Sequence, residues 1–280
     1  MAEYPKTATN KLGRLANRGK YDHATIHNLI NACPILHVSF TDPAQPFPVT
    51  LPMLGCMGHY SPPDADASQQ DDNEDQFIYL HGYISARLFR TAHALPLTVS
   101  ATFLDGLVLS LAPFHNSCNY RSAVAYGYAE LVDDRAEALY AMREITENML
   151  PGRWEGSRGP PTEAEVKSTG VVRVRVEAGE FFRTFMHTLY LISFRVMSSN
   201  VRLLASAKIR TGGPSEDRKD LQDKQLVSKT WTGVVPYWGT WGEPVEAAEN
   251  GCKEVEGYIE KWRVGETGRA RAQAFEAVTK

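Results

Sequence analysis

Short runs in which apolar and polar residues alternate recur along the chain, and they constrain the fold more than any other feature. In VVRVRVEA, residues 171–178, the even-numbered valines fall on one face and Arg173 and Arg175 on the other. In LTVSATFLDGLVLSLA, two alternating halves flank Asp105-Gly106, a dipeptide typical of tight hairpin turns. Many such strands with few helices predict a mainly β, α+β protein built on an antiparallel barrel or sandwich.

Helical patterns and further strands surround these runs. DHATIHNLINAC predicts a short amphipathic helix with Asp22 as its N-cap, and DDRAEALYAMREITENML predicts a helix that stops at Pro151-Gly152. ILHVSF, PVTLPML, NYRSAVAYGYAEL and TWTGVVPYW are predicted to contain strands, and EVEGYIEKW begins a C-terminal helix. The acidic stretch at residues 61–76 is predicted to be a solvated loop.

Composition and spacing narrow the possible functions. The net charge of -3 and the absence of a basic tract argue against a protein that binds nucleic-acid backbones. Four scattered cysteines and a start without an apolar core predict reduced thiols, no secretory leader and a cytoplasmic protein, with no membrane partner expected. A mitochondrial presequence is the alternative, and Glu3 and the weak amphipathicity of the start count against it. The eight histidines show no HExxH or His/Cys spacing, so no metal site is predicted.

The stretch FIYLHGYISARLFRTAHALP, residues 77–96, changes from a strand pattern to a helical one. Its apolar residues recur at helical spacing from Ser85 onward, so we expect Ser85 in the first turn of a helix. There its hydroxyl and the guanidinium of Arg87 would suit an anion, and Gly82 would let a ligand approach the backbone. The alternative is that Ser85 merely caps the helix and Arg87 is solvated.

Several segments, in order, resemble the pyridoxamine 5′-phosphate oxidase-like split barrels, in particular their flavin-binding, nitroimidazole-resistance-type branch. The matching segments are RGKYDHATIHNLINA, HVSF, PVTLPMLG, IYLHGYISARL, TFLDGLVLSLAPFHNSCNYRSAVAYG, SAKIRTGGP and WTGVVPYWGTWGEP. They cover most of residues 18–244. The resemblance implies an antiparallel split β-barrel with flanking helices, a homodimer, and bound flavin mononucleotide (FMN) with Ser85 and Arg87 as phosphate ligands.

Other residues acquire roles by the same resemblance. Main-chain groups at Thr50 and Leu51 would meet the polar edge of the flavin ring, beside Pro52. Tyr120, Arg121 and Ser122 would line the cofactor, the last two as secondary phosphate contacts. His81 would lie near the reacting edge of the ring as the catalytic residue. The alternatives are a core aromatic for Tyr120, a surface strand residue for Arg121 and a satisfied core histidine for His81.

One segment, GEFFRTFMHTLYLISFRVMSSNVRLL at residues 179–204, matches nothing in the relatives, where its flanks run almost directly together. We interpret it as a retained intron, with an added strand pair or helix as the alternative. The domain prediction is a flexible leader at residues 1–17, an FMN-binding domain at 18–262 that contains this insertion, and a charged tail at 263–280.

The sequence thus predicts an FMN-dependent oxidoreductase that acts on an unknown small-molecule redox substrate. True pyridoxamine phosphate oxidase activity is not expected, because the C-terminal Arg-Leu pattern of that enzyme is missing. The alternative is a flavin- or haem-binding carrier or sensor without turnover, because no acid–base residue besides His81 is identified. An apo structural barrel is a third hypothesis.

Overall fold

The computed structural model describes residues 2–62, 76–175 and 204–279. Its contacts divide the chain into two compact units. The first comprises Met1–Ala101, Ala123–Met149 and Arg153–Ala207, and the second comprises Thr102–Ser122, Leu150–Gly152 and Lys208–Lys280. The segment at residues 179–204, which matches nothing in the relatives, lies outside the described residues except for Leu204. Its interpretation and the predicted domain boundaries therefore stay predictions.

Among the residues that the structure describes, ten strands form one sheet, and the sequence predicts most of them. The strands are β1 Gly19–Lys20, β2 Leu36–Phe40, β3 Val49–Met53, β4 Gly55–Gly58, β5 Phe77–Tyr83, β6 His93–Leu109, β7 Ser117–Leu131, β8 Thr169–Arg175, β9 Leu204–Arg210 and β10 Gly233–Pro236. Their order is β3-β2-β6-β7-β8-β5-β4; in addition, β10 pairs with β6, β9 pairs with β7, and β1 pairs with β9. The predicted mainly β, antiparallel α+β fold is confirmed.

Seven helices accompany the strands in the described parts of the chain. They are α1 His23–Ala32, α2 Arg87–Thr91, α3 Arg135–Met149, α4 Glu163–Ser168, α5 Arg218–Gln222, α6 Lys224–Lys229 and α7 Gly257–Thr279. Asp22 caps α1 as predicted, because its carboxylate accepts a hydrogen bond from the Thr25 amide at 2.9 Å. None of the described helices combines the length and apolar character that a membrane crossing requires.

The core of the first unit follows from strand alternation. Ile78 and Leu80 of β5 and Leu36 and Val38 of β2 are fully buried, as is Val99 of β6. On the other face of β5, Tyr79 packs with residues of α3, including Ala141 and Ile145. Because successive strand residues point to opposite faces, β5 separates a core side from a side covered by α3.

In the second unit, β10 pairs antiparallel with the end of β6, with Val235 opposite Leu107 and Pro236 opposite Gly106. The buried Asn119 ties α7 to this unit, because its amide donates to the carbonyl of Ala277 at 3.0 Å and to that of Gly212 at 3.1 Å. These bonds fix the C-terminal end of the helix, where unpaired carbonyl groups need donors.

The predicted hairpin at Asp105-Gly106 is wrong. Strand β6 runs without a turn from His93 to Leu109, and both residues lie inside it. The Asp105 carboxylate is buried and paired with Arg121, whose Nη2 lies 2.8 Å from its Oδ1. At Gly106, a Cβ atom would lie 2.8 Å from the Val235 carbonyl oxygen. The two residues therefore serve an ion pair and a close strand contact instead of a turn.

Candidate functional site

The junction after β5 is shorter than the sequence predicts. Strand β5 ends at Tyr83, and α2 contains only five residues, beginning at Arg87 with Ala86 as its N-cap. Ser85 therefore lies before the helix, and β6 has already begun at His93. The expected helix from Ser85 is wrong in its bounds, because the helix begins at Arg87 and residues 93–96 belong to strand β6. A helix this short gives no dipole argument for anion binding, so the site depends on side chains.

Gly82 of β5 lies directly opposite Gly170 of β8. A Cβ atom on Gly82 would lie 2.8 Å from Cε2 of Phe89, and one on Gly170 would lie 2.5 Å from Cδ1 of the same ring. The Phe89 side chain is 3% exposed. The two glycines thus make room for this ring, which anchors α2 to the sheet. Phe89 occupies the space on the Cβ side of Gly82, and the expected role of Gly82 in admitting a ligand stays a prediction.

Arg87, the first residue of α2, contacts the loop between β2 and β3. Its Nε lies 3.3 Å from Oδ2 of Asp42, and the two side chains are 40% and 11% exposed. Within residues 2–62, 76–175 and 204–279, no other ionic or hydrogen-bonding partner of the guanidinium is found. The outer edge of the guanidinium, with Nη1 and Nη2, is therefore open to a ligand, and the exposed Ser85 hydroxyl lies two residues earlier in the chain.

Strand β3 lies at the edge of the sheet. Within the described parts of the chain it pairs with β2 alone, with Thr50 opposite Ser39 and Pro52 opposite His37. An edge strand leaves alternate backbone N–H and C=O groups without partners, and proline is tolerated there because it has no N–H to donate. The main chain from Thr50 through Leu51 to Pro52 can therefore meet the polar edge of a planar ligand.

His81 lies on the face of β5 that carries Tyr79, opposite to the face of Gly82. Burial lowers the pKa of His81 below its usual range, so the imidazole is neutral near pH 7. A neutral imidazole can donate from one nitrogen and accept at the other, which suits hydrogen bonding or proton transfer. The structure does not bring His81 onto the same face as Gly82.

Tyr120, Arg121 and Ser122 belong to the second unit. The Arg121 guanidinium makes a two-point contact with the buried Asp105, with Nε–Oδ2 at 2.9 Å and Nη2–Oδ1 at 2.8 Å, and it stacks on Phe103. The Ser122 hydroxyl donates to the Lys208 carbonyl at 3.2 Å, and Tyr120 is half-buried. Arg121 and Ser122 therefore have structural partners, and their expected roles as secondary phosphate contacts stay predictions.

Two functional candidates were missed by sequence reasoning. Asp42 lies in TDPAQPFP, residues 41–48, whose composition predicts a turn but gives no sign of the contact between Asp42 and Arg87. Phe89 fitted the helical apolar pattern, but the sequence has no signal for the glycine pair that receives its ring.

Two open cavities in the first unit, of about 280 and 300 Å³, lie beside α3 and α4. Met142 and Trp154 help to line the first, and Val132 and Val166 the second. None of the predicted site residues lines either cavity. No group of three or more potential metal ligands occurs among the residues that the structure describes.

A family model described as pyridoxamine 5′-phosphate oxidase matches residues 22–182. The flavocytochrome Anf3 from Azotobacter vinelandii is similar in structure, with a TM-score of 0.65 and 23% identity over 91% of this chain and 96% of that one. The FAD and heme binding protein from Mycobacterium smegmatis gives a TM-score of 0.62 and 22% identity over 87% and 96% of the two chains.

A putative 5-nitroimidazole antibiotic resistance protein from Bacteroides thetaiotaomicron gives a TM-score of 0.41 and 15% identity over 68% of this chain and 86% of that one. Among curated proteins, none matches the chain. The similarity to the first two structures concerns the fold, and the predicted split barrel is confirmed.

Proposed function

Because the chain belongs to the pyridoxamine 5′-phosphate oxidase family, we propose that it binds a flavin, FMN in the first instance, and is a flavin-dependent oxidoreductase of a small-molecule substrate. A flavin would supply the electron-transfer chemistry when bound. The residues of this chain would bind the cofactor, orient it and control its protons. These roles can be assigned to groups of the first unit alone.

The observation that carries the proposal is the contact between Arg87 and Asp42, which places an arginine at the loop of the β2–β3 hairpin. The open Nη1–Nη2 edge of this arginine suits a phosphate, because a planar guanidinium donates two parallel hydrogen bonds to such an anion. The exposed hydroxyl of Ser85 would add a third donor. The alternative of a fully solvated Arg87 does not account for its pairing with a buried carboxylate.

The edge strand β3 would hold the ring of the flavin. Its main chain at Thr50 and Leu51 has groups that can donate to and accept from the polar edge of the ring, and Pro52 leaves no unused N–H there. The hairpin loop that carries Asp42 leads directly into this strand. Phosphate and ring contacts would thus come from one hairpin and the turn beside it.

His81 would act as the proton-handling residue. Its neutral imidazole at pH 7 can accept a proton at one nitrogen and donate from the other. Because it lies on the face of β5 opposite to Gly82, contact with a flavin would require the ring to reach the part of β5 where His81 pairs with Val171. This role is tested separately from cofactor binding, by the pH profile of a His81→Gln variant.

A second candidate function is a carrier or sensor that binds flavin or haem without turnover. The similarity to a flavocytochrome and to an FAD and heme binding protein, each at a TM-score above 0.6, favours this candidate. The same similarity makes FAD a competitor of FMN. Both flavins carry a phosphate on the ribityl chain, so the proposed role of Arg87 is the same for either.

We also propose that the protein is a homodimer in the cytoplasm without nucleic-acid or membrane partners. The open edge of β3 and the exposed Leu107–Val235 pair of the second unit offer surfaces that a second copy could cover. Light scattering at micromolar concentration tests the dimer.

The decisive experiment is the absorbance spectrum of the purified protein, followed by extraction and mass measurement of the bound cofactor. A flavin spectrum that NADH or NADPH bleaches anaerobically, with reoxidation by an added acceptor, supports the oxidoreductase. A flavin or haem spectrum without turnover supports the carrier. A colourless protein that binds none of added FMN, FAD and haem would contradict both the oxidoreductase and the carrier and would favour an apo structural barrel.

A further inference from the structure

We propose that Asp42 is a positioning residue for the flavin phosphate, because it holds the guanidinium of Arg87 with its outer edge toward the ligand. The inference rests on the proposed function, since it concerns the same phosphate contact. It adds a residue that the sequence spacing does not indicate.

Asp42 is itself fixed in place. Its Oδ1 accepts a hydrogen bond from the Ala44 amide at 2.9 Å, and its carbonyl oxygen accepts one from the Gln45 amide at 2.9 Å. The residue is only 9% exposed. A carboxylate with one oxygen bound in a tight turn and little exposure has few alternative orientations, so the direction of Oδ2 is set by the loop.

The remaining oxygen of Asp42 faces one edge of Arg87. Oδ2 lies 3.3 Å from Nε, the nitrogen nearest the backbone, in an ion pair without hydrogen-bond alignment. A guanidinium presents five N–H donors in a rigid plane, so a carboxylate that pairs with Nε leaves the N–H groups at the far end of the plane unengaged. That outer edge can make the two-point contact that phosphate favours.

The carboxylate also repels a phosphate, and this effect opposes its positioning role. The guanidinium would lie between the two anions, and its side chain is 40% exposed, so water screens the repulsion. Without Asp42, by contrast, the long arginine side chain must lose its rotamer freedom when the ligand binds. We infer that the positioning effect is the larger.

The test is Asp42→Asn in the full chain. The amide oxygen of asparagine can still accept from the Ala44 N–H, so the turn is kept while the charge facing Arg87 is lost. We expect the Kd for FMN to rise about 3- to 10-fold, the effect of releasing one long side chain. The Kd for riboflavin, which has no phosphate, should change less than about twofold on the same reasoning.

A second variant keeps the test independent of the stability of Asp42→Asn. Arg87→Lys retains the positive charge but lacks Nε and the fork, so it should weaken FMN without weakening riboflavin. Asp42→Asn should cause no additional loss of FMN affinity in the Arg87→Lys background, because the group that Asp42 orients is absent.

The outcomes separate the inference from the proposed function. Unchanged or tighter FMN binding by Asp42→Asn would overturn the inference, and tighter binding would show that the carboxylate competes with phosphate. An equal loss of FMN and riboflavin affinity would also overturn it, because the residue would then support only the fold. If the wild-type protein binds neither flavin, the proposed function itself fails.

Discussion

Gly82 and Gly170 face each other across β5 and β8, and the ring of Phe89 lies over both. The ideal Cβ position of Gly170 is 2.6 Å from Cγ of that ring and the position of Gly82 is 3.1 Å from its Cζ. Gly170 therefore lies next to the end of the Phe89 ring that is attached to Cβ, and Gly82 lies next to the opposite end. Since Arg87 lies two residues from Phe89, this contact also determines where the candidate phosphate ligand lies.

We expect Gly170→Ala to destabilise the protein more than Gly82→Ala. A methyl group at residue 170 meets the ring near its fixed base, whereas one at residue 82 meets the end of the ring, which can move more easily. Overpacking of this kind costs about 1–3 kcal/mol, and we expect Gly170→Ala at the upper end. Urea denaturation monitored by circular dichroism measures the difference.

The control for the glycine variants is Gly265→Ala. This residue lies inside α7, and nothing lies within 4 Å of its Cβ position. Alanine has the higher helix propensity, so this change should stabilise by up to about 1 kcal/mol. In a Phe89→Leu background, Gly170→Ala should lower the free energy of unfolding less than it does in the wild-type background. If both β-strand variants are as stable as wild type, Phe89 does not need the space.

The regular parts of the fold could be predicted from sequence because their signals are local. Alternation identified β2, β3 and β8, and the Asp22 cap identified the start of α1. At Asp105-Gly106 the local signal was misleading, because a tertiary contact decided the outcome. The buried ion pair with Arg121 and the close approach of β10 keep these two residues in an extended strand.

The candidate site was predicted only in part, for a related reason. Ser85 and Arg87 carry a local composition that suits an anion, but the length of α2 depends on how β6 pairs after it. The contact between Arg87 and Asp42 joins residues 45 positions apart, by subtraction of their numbers. No pattern in a single sequence specifies such a pairing.

A buried network in the first unit gives a prediction about stability. The Tyr79 hydroxyl donates to Oε1 of Glu137 at 2.9 Å, and Nη1 of Arg173 lies 2.8 Å from Oε2. The Glu137 side chain is 7% exposed. Glu137→Gln removes the charge closest to Arg173, whose Nε still donates to Oε2 of Glu130 at 3.1 Å. We expect a loss of about 2–4 kcal/mol in the free energy of unfolding.

The matched control for this network is Glu163→Gln. Glu163 pairs with Arg135, but the two side chains are 64% and 58% exposed, so solvent screens their attraction. We expect a loss of about 0–1 kcal/mol. Equal effects of the two variants in chemical denaturation would contradict a special role for the buried carboxylate.

The N-terminal segment gives a prediction about pH. The buried Tyr4 hydroxyl is hydrogen-bonded to Nε2 of His27, and the Tyr4 ring stacks on His23 at 4.0 Å. Burial, with a smaller effect of His23, lowers the pKa of His27 to about 4 from 6.5. The folded state therefore favours the neutral imidazole, and its stability falls as the pH drops from 6.5 toward 4.

Replacing His27 by glutamine should flatten the pH dependence of stability in this window. The melting temperature of wild type should fall more steeply between pH 6.5 and pH 4 than that of His27→Gln, although the variant is less stable at neutral pH. If the melting temperatures of the two proteins fall equally steeply with pH in this window, the protonation of His27 is not coupled to folding.

The segment at residues 179–204 should be dispensable. Its removal joins Ala178 to Ala205, the residue before SAKIRTGGP, and changes in the length of a connection cost little closure entropy. A deletion protein should therefore retain its circular dichroism spectrum and its cooperative unfolding. Sequencing of spliced transcripts tests the intron interpretation. A transcript that always contains the segment, together with a deletion protein that does not fold, would refute both.

Arg87→Ala should weaken FMN binding selectively. The variant removes the outer guanidinium edge that is proposed to hold the phosphate, and a hydrogen bond to a charged group contributes about 2–3 kcal/mol. The Kd for FMN should therefore rise roughly 30- to 150-fold in a fluorescence titration. Riboflavin, which lacks the phosphate, should bind wild type and variant about equally. Ser85→Ala should have a smaller effect, on the order of 1 kcal/mol.

The matched control is Arg90→Ala, because Arg90 lies on the same helix and is exposed. It removes one positive charge from α2 without touching the Asp42 contact. If Arg90→Ala weakens FMN as much as Arg87→Ala does, the effect is general electrostatic attraction to the helix. If Arg87→Ala retains full affinity, the arginine is a structural partner of Asp42 and the phosphate binds elsewhere.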